Sequence, residues 1–171
     1  MSRLKICVVG PKGVGKTIIS NYLTGQSSLL VIDNKYEPTS GVRILEYEAN
    51  TLQGNINIEL WDASGDTSYE GCWRAIMHEA DGVVLIYNPD APSQDQQIGD
   101  WFDFFVRKNN LREDQCIVFA YRSNPSNGDK FRPPPLFSKV NASLTTPQNS
   151  ADMKGMFDNF VNELAAIRQR K

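Results

Sequence analysis

The most constraining feature of this 171-residue sequence is a glycine-rich stretch near its start. Residues 10–17 read Gly-Pro-Lys-Gly-Val-Gly-Lys-Thr and fit the pattern G-x-x-x-x-G-K-S/T. The apolar run at residues 4–9 is typical of a strand, and residues 17–23 can open a helix. A strand, a glycine-rich turn and a helix N-terminus in this order predict a loop whose backbone N–H groups surround a phosphate.

Four residues of this loop have distinct predicted roles. Gly13 and Gly15 allow backbone angles that turn successive N–H groups inward. Lys16 would place its charge on the β- and γ-phosphates of a nucleotide, and the hydroxyl of Thr17 would bind Mg²⁺. The predicted nucleotide contacts in this loop are Gly13, Val14, Gly15, Lys16, Thr17 and Ile18. A glycine-rich turn that binds nothing is the alternative interpretation.

Composition narrows the class of protein. The length fits a single domain over residues 1–171, with 40% apolar residues and a formal net charge of −2. Because there is no excess of positive charge, a nucleic acid is not an expected partner. Cys7, Cys72 and Cys116 lack the spacing of a metal site, so we expect reduced, mostly buried thiols in a cytosolic protein.

The sequence contains no recognisable membrane-spanning or lipid-anchoring signal. No apolar run reaches the length of about 18 residues that can span a bilayer, and no signal peptide is recognisable. The last five residues contain no cysteine that could be prenylated, so we expect no lipid anchor in this chain.

Strand-like and helix-like segments alternate along the rest of the chain. After the first pair, the predicted strands are 42–49, 55–61, 82–87, 115–121 and 139–142, and the predicted helices are 73–80, 93–108 and 152–167. This alternation predicts an α/β fold, with a mostly parallel six-stranded sheet and helices on both faces. In such a fold, a ligand binds at the carboxyl ends of the strands.

Two further motifs follow the glycine-rich loop. In the run Leu-Trp-Asp-Ala-Ser-Gly at residues 60–65, Asp62 can hold Mg²⁺ through a water and the N–H of Gly65 can meet a γ-phosphate. Thr39 can close on Mg²⁺ when a γ-phosphate is present and release when it leaves. Tyr36 either covers the phosphates or is exposed. The predicted metal ligands are Thr17, Thr39 and Asp62.

Together, the three motifs resemble those of the Ras/Rab-type small GTPases. The resemblance extends over nearly the whole chain and implies the P-loop NTPase fold of a small GTPase, which binds GTP or GDP with Mg²⁺. More narrowly, residues 38–48, 59–62, 72–73 and 81–84 resemble the Rab-like GTPases of the intraflagellar transport B complex. That resemblance implies a cytoplasmic and ciliary or flagellar protein, monomeric when isolated, which docks on coiled-coil subunits of the complex.

Two departures from the family pattern concern hydrolysis. Asp66 stands where the family has the glutamine that orients the attacking water, and its carboxylate would repel the γ-phosphate. Lys12 occupies a position that is often glycine, where it would either obstruct the attack or lend positive charge. With Asp66 and Lys12 as the catalytic candidates, we expect slow or undetectable turnover.

The family's guanine-reading pattern Asn-Lys-x-Asp is replaced here by Tyr-Arg-Ser-Asn at residues 121–124. Arg122 is predicted to lie along a face of the base, and Asn124 to present its side-chain carbonyl. Asp129 is predicted to accept from the base if its loop folds back, and is otherwise a surface residue. Ala142 is the predicted remnant of the family's Ser-Ala-Lys motif.

Apolar residues near these motifs have two interpretations. The aromatic residue that stacks on guanine in the family is missing, and Val31 and Ile32 lie near its place. Ile44, Trp61 and Trp73 flank the second and third motifs, where they form either a surface for a partner or part of the core.

Two other functions are weighed against a nucleotide-loaded binding module. The first is a different P-loop enzyme, such as a small-molecule or nucleotide kinase, which would need an arginine-rich lid. The loop at 122–138 contains only Arg122 and Arg132, so a kinase is disfavoured. The second is a scaffold without nucleotide, which the presence of the predicted phosphate and metal residues disfavours.

Overall fold

The computed structural model describes residues 3–30, 37–124 and 131–170. Its strands are β1 (Arg3–Val9), β2 (Val42–Thr51), β3 (Gly54–Ala63), β4 (Gly82–Tyr87), β5 (Cys116–Tyr121) and β6 (Asn141–Thr145). Its α-helices are α1 (Lys16–Leu23), α2 (Trp73–Met77), α3 (Gln94–Phe102) and α4 (Ser150–Gln169). A 3₁₀ turn, Thr67–Cys72, precedes α2, and a π-helical segment, Asp103–Arg107, continues α3.

The six strands form one sheet in the order β2-β3-β1-β4-β5-β6. Neighbouring strands are parallel except β2 and β3, which form an antiparallel hairpin with Leu45 opposite Leu60. Parallel neighbours require crossover connections. Here α1 follows β1, α2 precedes β4 and α3 joins β4 to β5, while the described part of the β5–β6 connection contains only a 3₁₀ turn, Pro135–Phe137. The predicted α/β fold with a mostly parallel six-stranded sheet is confirmed.

Helices cover both faces of the sheet. One core cluster joins β1, β3, β4 and β5 to α1 and α4, and its members Ile6, Ile19 and Phe157 have no exposed surface. The second cluster joins the opposite face to α2 and α3, with Val83 and Phe102 fully buried. The strands β4 and β5 are therefore covered on both faces, which explains why their sequences are continuous apolar runs.

Some element bounds differ from those that the sequence predicts. The last strand, expected at 139–142, lies at Asn141–Thr145 because the chain pairs there with Ile117–Tyr121 of β5. The helix expected at 73–80 ends at Met77, since the following residues leave the helical conformation and Glu79 has a φ of 55°. Pairing with β5 sets the bounds of the last strand, and a local backbone angle sets the end of the helix. Apolar periodicity alone predicts neither boundary.

Among the described residues, no helix combines the length and the apolar character that crossing a bilayer requires.

The three cysteines are free thiols, with Cys7 and Cys116 buried and Cys72 exposed. Burial raises the pKa of Cys7 to about 12. The expectation of buried thiols is therefore correct for two of the three.

Candidate functional site

A cavity of about 620 Å³ lies where the parallel strands end. Its volume is typical of a small-molecule site. Residues 12–18 line it after β1, residues 64–65 after β3, and residues 37–39 from the loop before β2. Asn88, Tyr121 and Ser123 line it at the ends of β4 and β5. The cavity thus lies at the carboxyl edge of the sheet, as the α/β fold predicts.

The glycines of the loop after β1 are required by its backbone. Gly13 and Gly15 have φ values of 75° and 97°, in the left-handed region that side chains disfavour. A Cβ atom on Gly15 would also lie 2.9 Å from the ring of Tyr121. The loop therefore packs directly against the end of β5, and its conformation depends on glycine at these positions.

Lys16 is held inside the loop. Only 7% of the residue is exposed, and its Nζ donates to the carbonyl oxygens of Gly10 at 2.9 Å and Pro11 at 2.7 Å. Burial lowers the pKa of Lys16 to about 8, and the carboxylate of Asp62 opposes that shift. A desolvated ammonium group beside a ring of backbone amides is suited to an anionic ligand, whose charge would stabilise it.

Three oxygen-bearing side chains converge beside this lysine. The hydroxyl of Thr17 lies 2.8 Å from a carboxylate oxygen of Asp62 and 2.9 Å from the hydroxyl of Thr39. The side chain of Asp62 has no exposed surface, and its Oδ1 has no hydrogen-bond partner among the described residues. Burial raises the pKa of Asp62, while Thr17 and Arg43 oppose that shift.

The geometry of this group fits Mg²⁺. Magnesium prefers oxygen ligands, which hydroxyl and carboxylate groups supply. The hydroxyls of Thr17 and Thr39 lie 2.9 Å apart and could both contact one ion, while Asp62, 2.8 Å from Thr17, could hold it through a water. The buried, unpartnered oxygen of Asp62 adds an acceptor at the same place. The predicted ligands Thr17, Thr39 and Asp62 are thus brought together, and they would hold the ion between the glycine-rich loop, the end of β3 and the loop before β2.

The segment after β3 packs tightly on the glycine-rich loop. A Cβ atom on Gly65 would lie 2.4 Å from the backbone nitrogen of Lys12 and 2.6 Å from the carbonyl oxygen of Gly10. No side chain fits there, so glycine is needed for this close approach. The predicted γ-phosphate contact, Gly65, is among the cavity-lining residues.

The two catalytic candidates contact each other. Oδ2 of Asp66 accepts a hydrogen bond from Nζ of Lys12 at 3.0 Å, and its Oδ1 accepts from the backbone N–H of Ser68 at 3.0 Å. These contacts, the Ser68 amide first, lower the pKa of Asp66 to about 2. Lys12 lines the cavity and Asp66 does not. The arrangement ties the glycine-rich loop to the turn that follows β3, and the catalytic roles stay predictions.

Where β5 ends, at the side of the cavity predicted to receive the base, Arg122 has a partner that the sequence analysis did not identify. The guanidinium group of Arg122 donates two hydrogen bonds of 2.7 Å to the carboxylate of Asp90, in the loop after β4. Arg122, Asn124 and Ala142 do not line the cavity, whereas Tyr121 and Ser123 do. The pairing with Asp90 could not be read from a local motif, because the two residues are 32 positions apart.

Four residues discussed from the sequence lie outside the described part of the chain. They are Val31, Ile32, Tyr36 and Asp129.

Sequence reasoning also missed several cavity residues. They are Asn21, Ser27, Leu29, Glu37, Pro38, Ser64, Asn88, Tyr121 and Ser123. Asn88 follows a buried strand directly, and this position at a strand end is a signal that the sequence does contain. Leu29 has a weaker signal, as one of two adjacent leucines in a polar loop.

Comparisons with known proteins agree with this geometry. The family model described as "Ras of Complex, Roc, domain of DAPkinase" matches residues 5–124. The intraflagellar transport protein 22 homolog of Homo sapiens is 36% identical over 173 residues, covering 98% of this chain and 85% of that protein. The Danio rerio homolog is 39% identical over 138 residues, covering 78% of this chain and 73% of that protein.

Solved structures are similar over almost the full length. A GTP-bound T. brucei IFT22/74/81 crystal structure contains a chain with a TM-score of 0.82 and 27% identity, covering 99% of both chains. A GDP-bound T. brucei IFT22 structure has a TM-score of 0.77 and 26% identity, covering 98% of this chain and 99% of that one. The resemblance seen in the sequence motifs is thereby confirmed. The chain belongs to the Roc/Ras-like GTPase domains and, among them, to the family of intraflagellar transport protein 22.

Proposed function

We propose that this chain binds GTP and GDP with Mg²⁺ and acts as a nucleotide-loaded docking module in intraflagellar transport. The observation that carries the proposal is the contact of the Thr17 hydroxyl with both Asp62 and Thr39, beside the buried ammonium group of Lys16. These groups come from three separate segments, yet they meet at one point of a cavity of about 620 Å³.

Each residue has a defined task in nucleotide binding. Lys16 binds the β- and γ-phosphates, and the backbone N–H groups of residues 13–18 surround them. Mg²⁺, when bound, neutralises phosphate charge at this site. Thr17 and Asp62 keep their oxygens in place there through their mutual hydrogen bond. Thr39 brings the loop before β2 onto the site, so the position of that loop depends on the ligand.

Hydrolysis is proposed to be slow or absent. The side chain at the water-orienting position is Asp66, an ionised carboxylate that is engaged by Lys12 and the Ser68 amide. A carboxylate accepts hydrogen bonds but cannot donate one, so it cannot both orient a water and donate towards the γ-phosphate. Even with the usual glutamine, unassisted turnover of a small GTPase is on the order of 10⁻⁴ s⁻¹.

The proposed partners are coiled-coil subunits of the intraflagellar transport B complex. A T. brucei relative was crystallised in an assembly described as IFT22/74/81, which supports this assignment. The relatives' names also support association with the cilium or flagellum. The finer proposal is a cytoplasmic and ciliary protein in which residues 1–171 act as one domain, monomeric when isolated.

The apolar residues near the motifs divide between surface and core. Ile44 is 46% exposed and pairs across the hairpin with the half-buried Trp61. Trp73 is only 8% exposed and packs against Trp101, with ring centroids 4.3 Å apart. We therefore include Ile44 and Trp61 in the surface offered to a partner and assign Trp73 to the core.

Identifying the nucleotide that copurifies with the chain tests the proposal. The purified protein is denatured, and the released nucleotide is identified by chromatography. GTP or GDP supports the proposal, ATP or ADP indicates a kinase-like enzyme, and no nucleotide together with no calorimetric binding of GTP indicates a scaffold.

Matched threonine variants sharpen this test. The Thr17→Ala variant is expected to lose the copurified nucleotide. The Thr24→Ala variant is expected to keep it, because that hydroxyl lies at the end of α1, where it donates to the carbonyl oxygens of Ser20 and Asn21. Equal retention by both variants would contradict the assignment of Thr17.

A further inference from the structure

A second cavity lies at the amino edge of the sheet, where β1 and β4 begin and away from the nucleotide cavity. Its volume is about 270 Å³. The residues that line it are Arg3, Lys5, Glu79, Ala80, Asp81 and Arg168. Three of these side chains are cations and two are carboxylates, so one positive charge is left over. The lining therefore favours an anion that carries a single charge.

Lys5 is a buried cation in this second cavity. Only 7% of the residue is exposed, and its Nζ donates to the carbonyl oxygen of His78 at 2.8 Å and, more weakly, to that of Ala75 at 3.5 Å. The same Nζ lies 3.7 Å from the centroid of the Trp61 ring. None of these contacts is with a carboxylate. Burial lowers the pKa of Lys5, and an anion bound beside the ammonium group would stabilise its charge.

The two arginines at the second cavity use only part of their hydrogen-bonding capacity. Nη1 of Arg168 donates to Oδ1 of Asp81 at 2.6 Å, and Nη1 of Arg3 donates to Oε1 of Glu59 at 2.8 Å. A guanidinium group has five N–H donors, so each arginine can bind a further oxygen. The side chains of Arg3 and Arg168 are 58% and 47% exposed, so both can turn towards a ligand at the mouth of the cavity.

The two carboxylates of the lining have different surroundings. Oδ2 of Asp81 accepts from the backbone N–H of Lys5 at 2.9 Å, while its Oδ1 accepts from Arg168. Asp81 thereby holds β1 and α4 in place around the cavity. The side chain of Glu79 is 75% exposed, so water and salt screen its charge. Glu79 should therefore weaken the binding of an anion without preventing it.

We propose that the second cavity binds one carboxylate group, supplied by an aspartate or glutamate side chain of a partner protein. Lys5, Arg3 and Arg168 bind this carboxylate through charge-assisted hydrogen bonds. The cavity is smaller than the roughly 300–1,000 Å³ of most small-molecule sites, and its rim is exposed, so it suits a side chain that reaches in from another protein. Glu79 and Asp81 disfavour a dianion such as phosphate. The site lies at the edge of the sheet opposite the nucleotide and is independent of it.

An NMR titration of the full chain at low ionic strength tests this proposal. The probes are the blocked peptide acetyl-Ala-Glu-Ala-amide, its glutamine counterpart and inorganic phosphate. The glutamate peptide is expected to shift the backbone amide signals of Lys5 and Asp81 until they saturate, with a Kd in the millimolar range. The glutamine peptide should give no saturable shift, and phosphate should bind at least about threefold more weakly than the glutamate peptide.

Four variants separate a binding role from a structural one. Lys5→Met and Arg168→Gln are each expected to weaken binding of the glutamate peptide at least about threefold. Glu79→Gln, at an exposed position that should not affect folding, is expected to strengthen it about twofold. Arg107→Gln is the matched control, because Arg107 is also paired with a carboxylate, that of Asp103 at 2.7 Å, but does not line the cavity. Its affinity should equal that of the wild type.

Several outcomes would overturn the proposal. They are the absence of a saturable shift with the glutamate peptide, equal binding of the glutamine peptide, and binding of phosphate as tight as that of the glutamate peptide. An affinity of Glu79→Gln that does not exceed the wild-type value would also overturn it, because a carboxylate bound in this cavity must be repelled by Glu79.

Discussion

The phosphate end and the base end of the cavity are built from different interactions. At the phosphate end, Lys16 makes two hydrogen bonds to the loop, and Thr17 contacts both Asp62 and Thr39. At the base end, where β4 and β5 finish, the lining is neutral and consists of Asn88, Tyr121 and Ser123. From this difference we expect charge-based contacts to phosphate and metal to supply most of the affinity and the base to contribute less.

Removing the charge of Lys16 should have the largest effect. The Lys16→Met variant keeps most of the side-chain volume and loses the ammonium group, which leaves the phosphates without their buried partner. We expect GTP affinity to fall at least about a hundredfold in calorimetry. The Lys108→Met variant, at the exposed end of the segment after α3, is the control and should bind as the wild type does. A loss below tenfold for Lys16→Met would contradict the dominance of the phosphate end.

Substitution of Thr39 should change the affinities for GTP and GDP by different factors. The Thr39→Ala variant loses the hydroxyl that lies 2.9 Å from Thr17, in the group that fits Mg²⁺. Because this residue is expected to close only when a γ-phosphate is present, GTP affinity should fall by about tenfold and GDP affinity should change little. The Thr39→Ser variant keeps the hydroxyl and should retain the preference. Equal losses for GTP and GDP would show that Thr39 does not respond to the γ-phosphate.

Asp66 should limit hydrolysis at the phosphate end. The Asp66→Gln variant restores an amide that can orient a water, so we expect single-turnover hydrolysis of GTP to accelerate by about fivefold. The Asp66→Asn variant also removes the charge but has a shorter reach, and it should accelerate less. A wild-type rate as fast as one turnover in seconds, or no change in Asp66→Gln, would show that this residue does not limit the reaction.

The pH dependence of the same variants follows from the ionisation of Asp66. Its pKa is lowered to about 2, so the carboxylate stays charged at every pH well above that value. The stabilisation from its contacts with Ser68 and Lys12 is therefore fully present above the ordinary carboxyl pKa and is lost only as the pH falls through about 2. The ratio of the hydrolysis rates of Asp66→Asn and wild type should stay constant between pH 5 and 8, as measured by single-turnover assays.

The phosphate end could be predicted from the sequence because its geometry is local. Eight consecutive residues specify the glycine-rich loop, and the positive φ values of Gly13 and Gly15 agree with that expectation. The sequence also predicted that Asp62 and Thr39 lie at this site. Asp62 is near the end of β3 and Thr39 is in the loop before β2, and both positions are at the same edge of the sheet. The order of the motifs was sufficient to predict the geometry of the phosphate end, because each residue is close in sequence to the strand or helix that positions it.

The base end could not be predicted in the same way, because its contacts join distant segments. The guanidinium group of Arg122 binds Asp90, 32 residues earlier, instead of lining the cavity. Residues 121–124 border the cavity through Tyr121 and Ser123, and the base contacts predicted for Arg122 and Asn124 stay predictions.

A substitution at Tyr121 is expected to have the smallest effect among these variants, and it is the most specific test of the base end. Its ring packs on Gly15, while its hydroxyl is buried and has no hydrogen-bond partner among the described residues. Burial also raises its pKa, so the hydroxyl stays neutral at physiological pH. A buried donor without a partner costs free energy, and the Tyr121→Phe variant removes that cost while keeping the ring.

The free energy of unfolding of Tyr121→Phe, measured in urea, should equal that of the wild type or exceed it by up to about 1 kcal/mol. GTP affinity should stay within about twofold, because the ring and not the hydroxyl supports the loop. The Tyr69→Phe variant, at a half-buried position after β3, is the control and should change neither quantity. A large loss of GTP affinity in Tyr121→Phe alone would show that the hydroxyl contacts the ligand, and the base end would then use a directional polar contact after all.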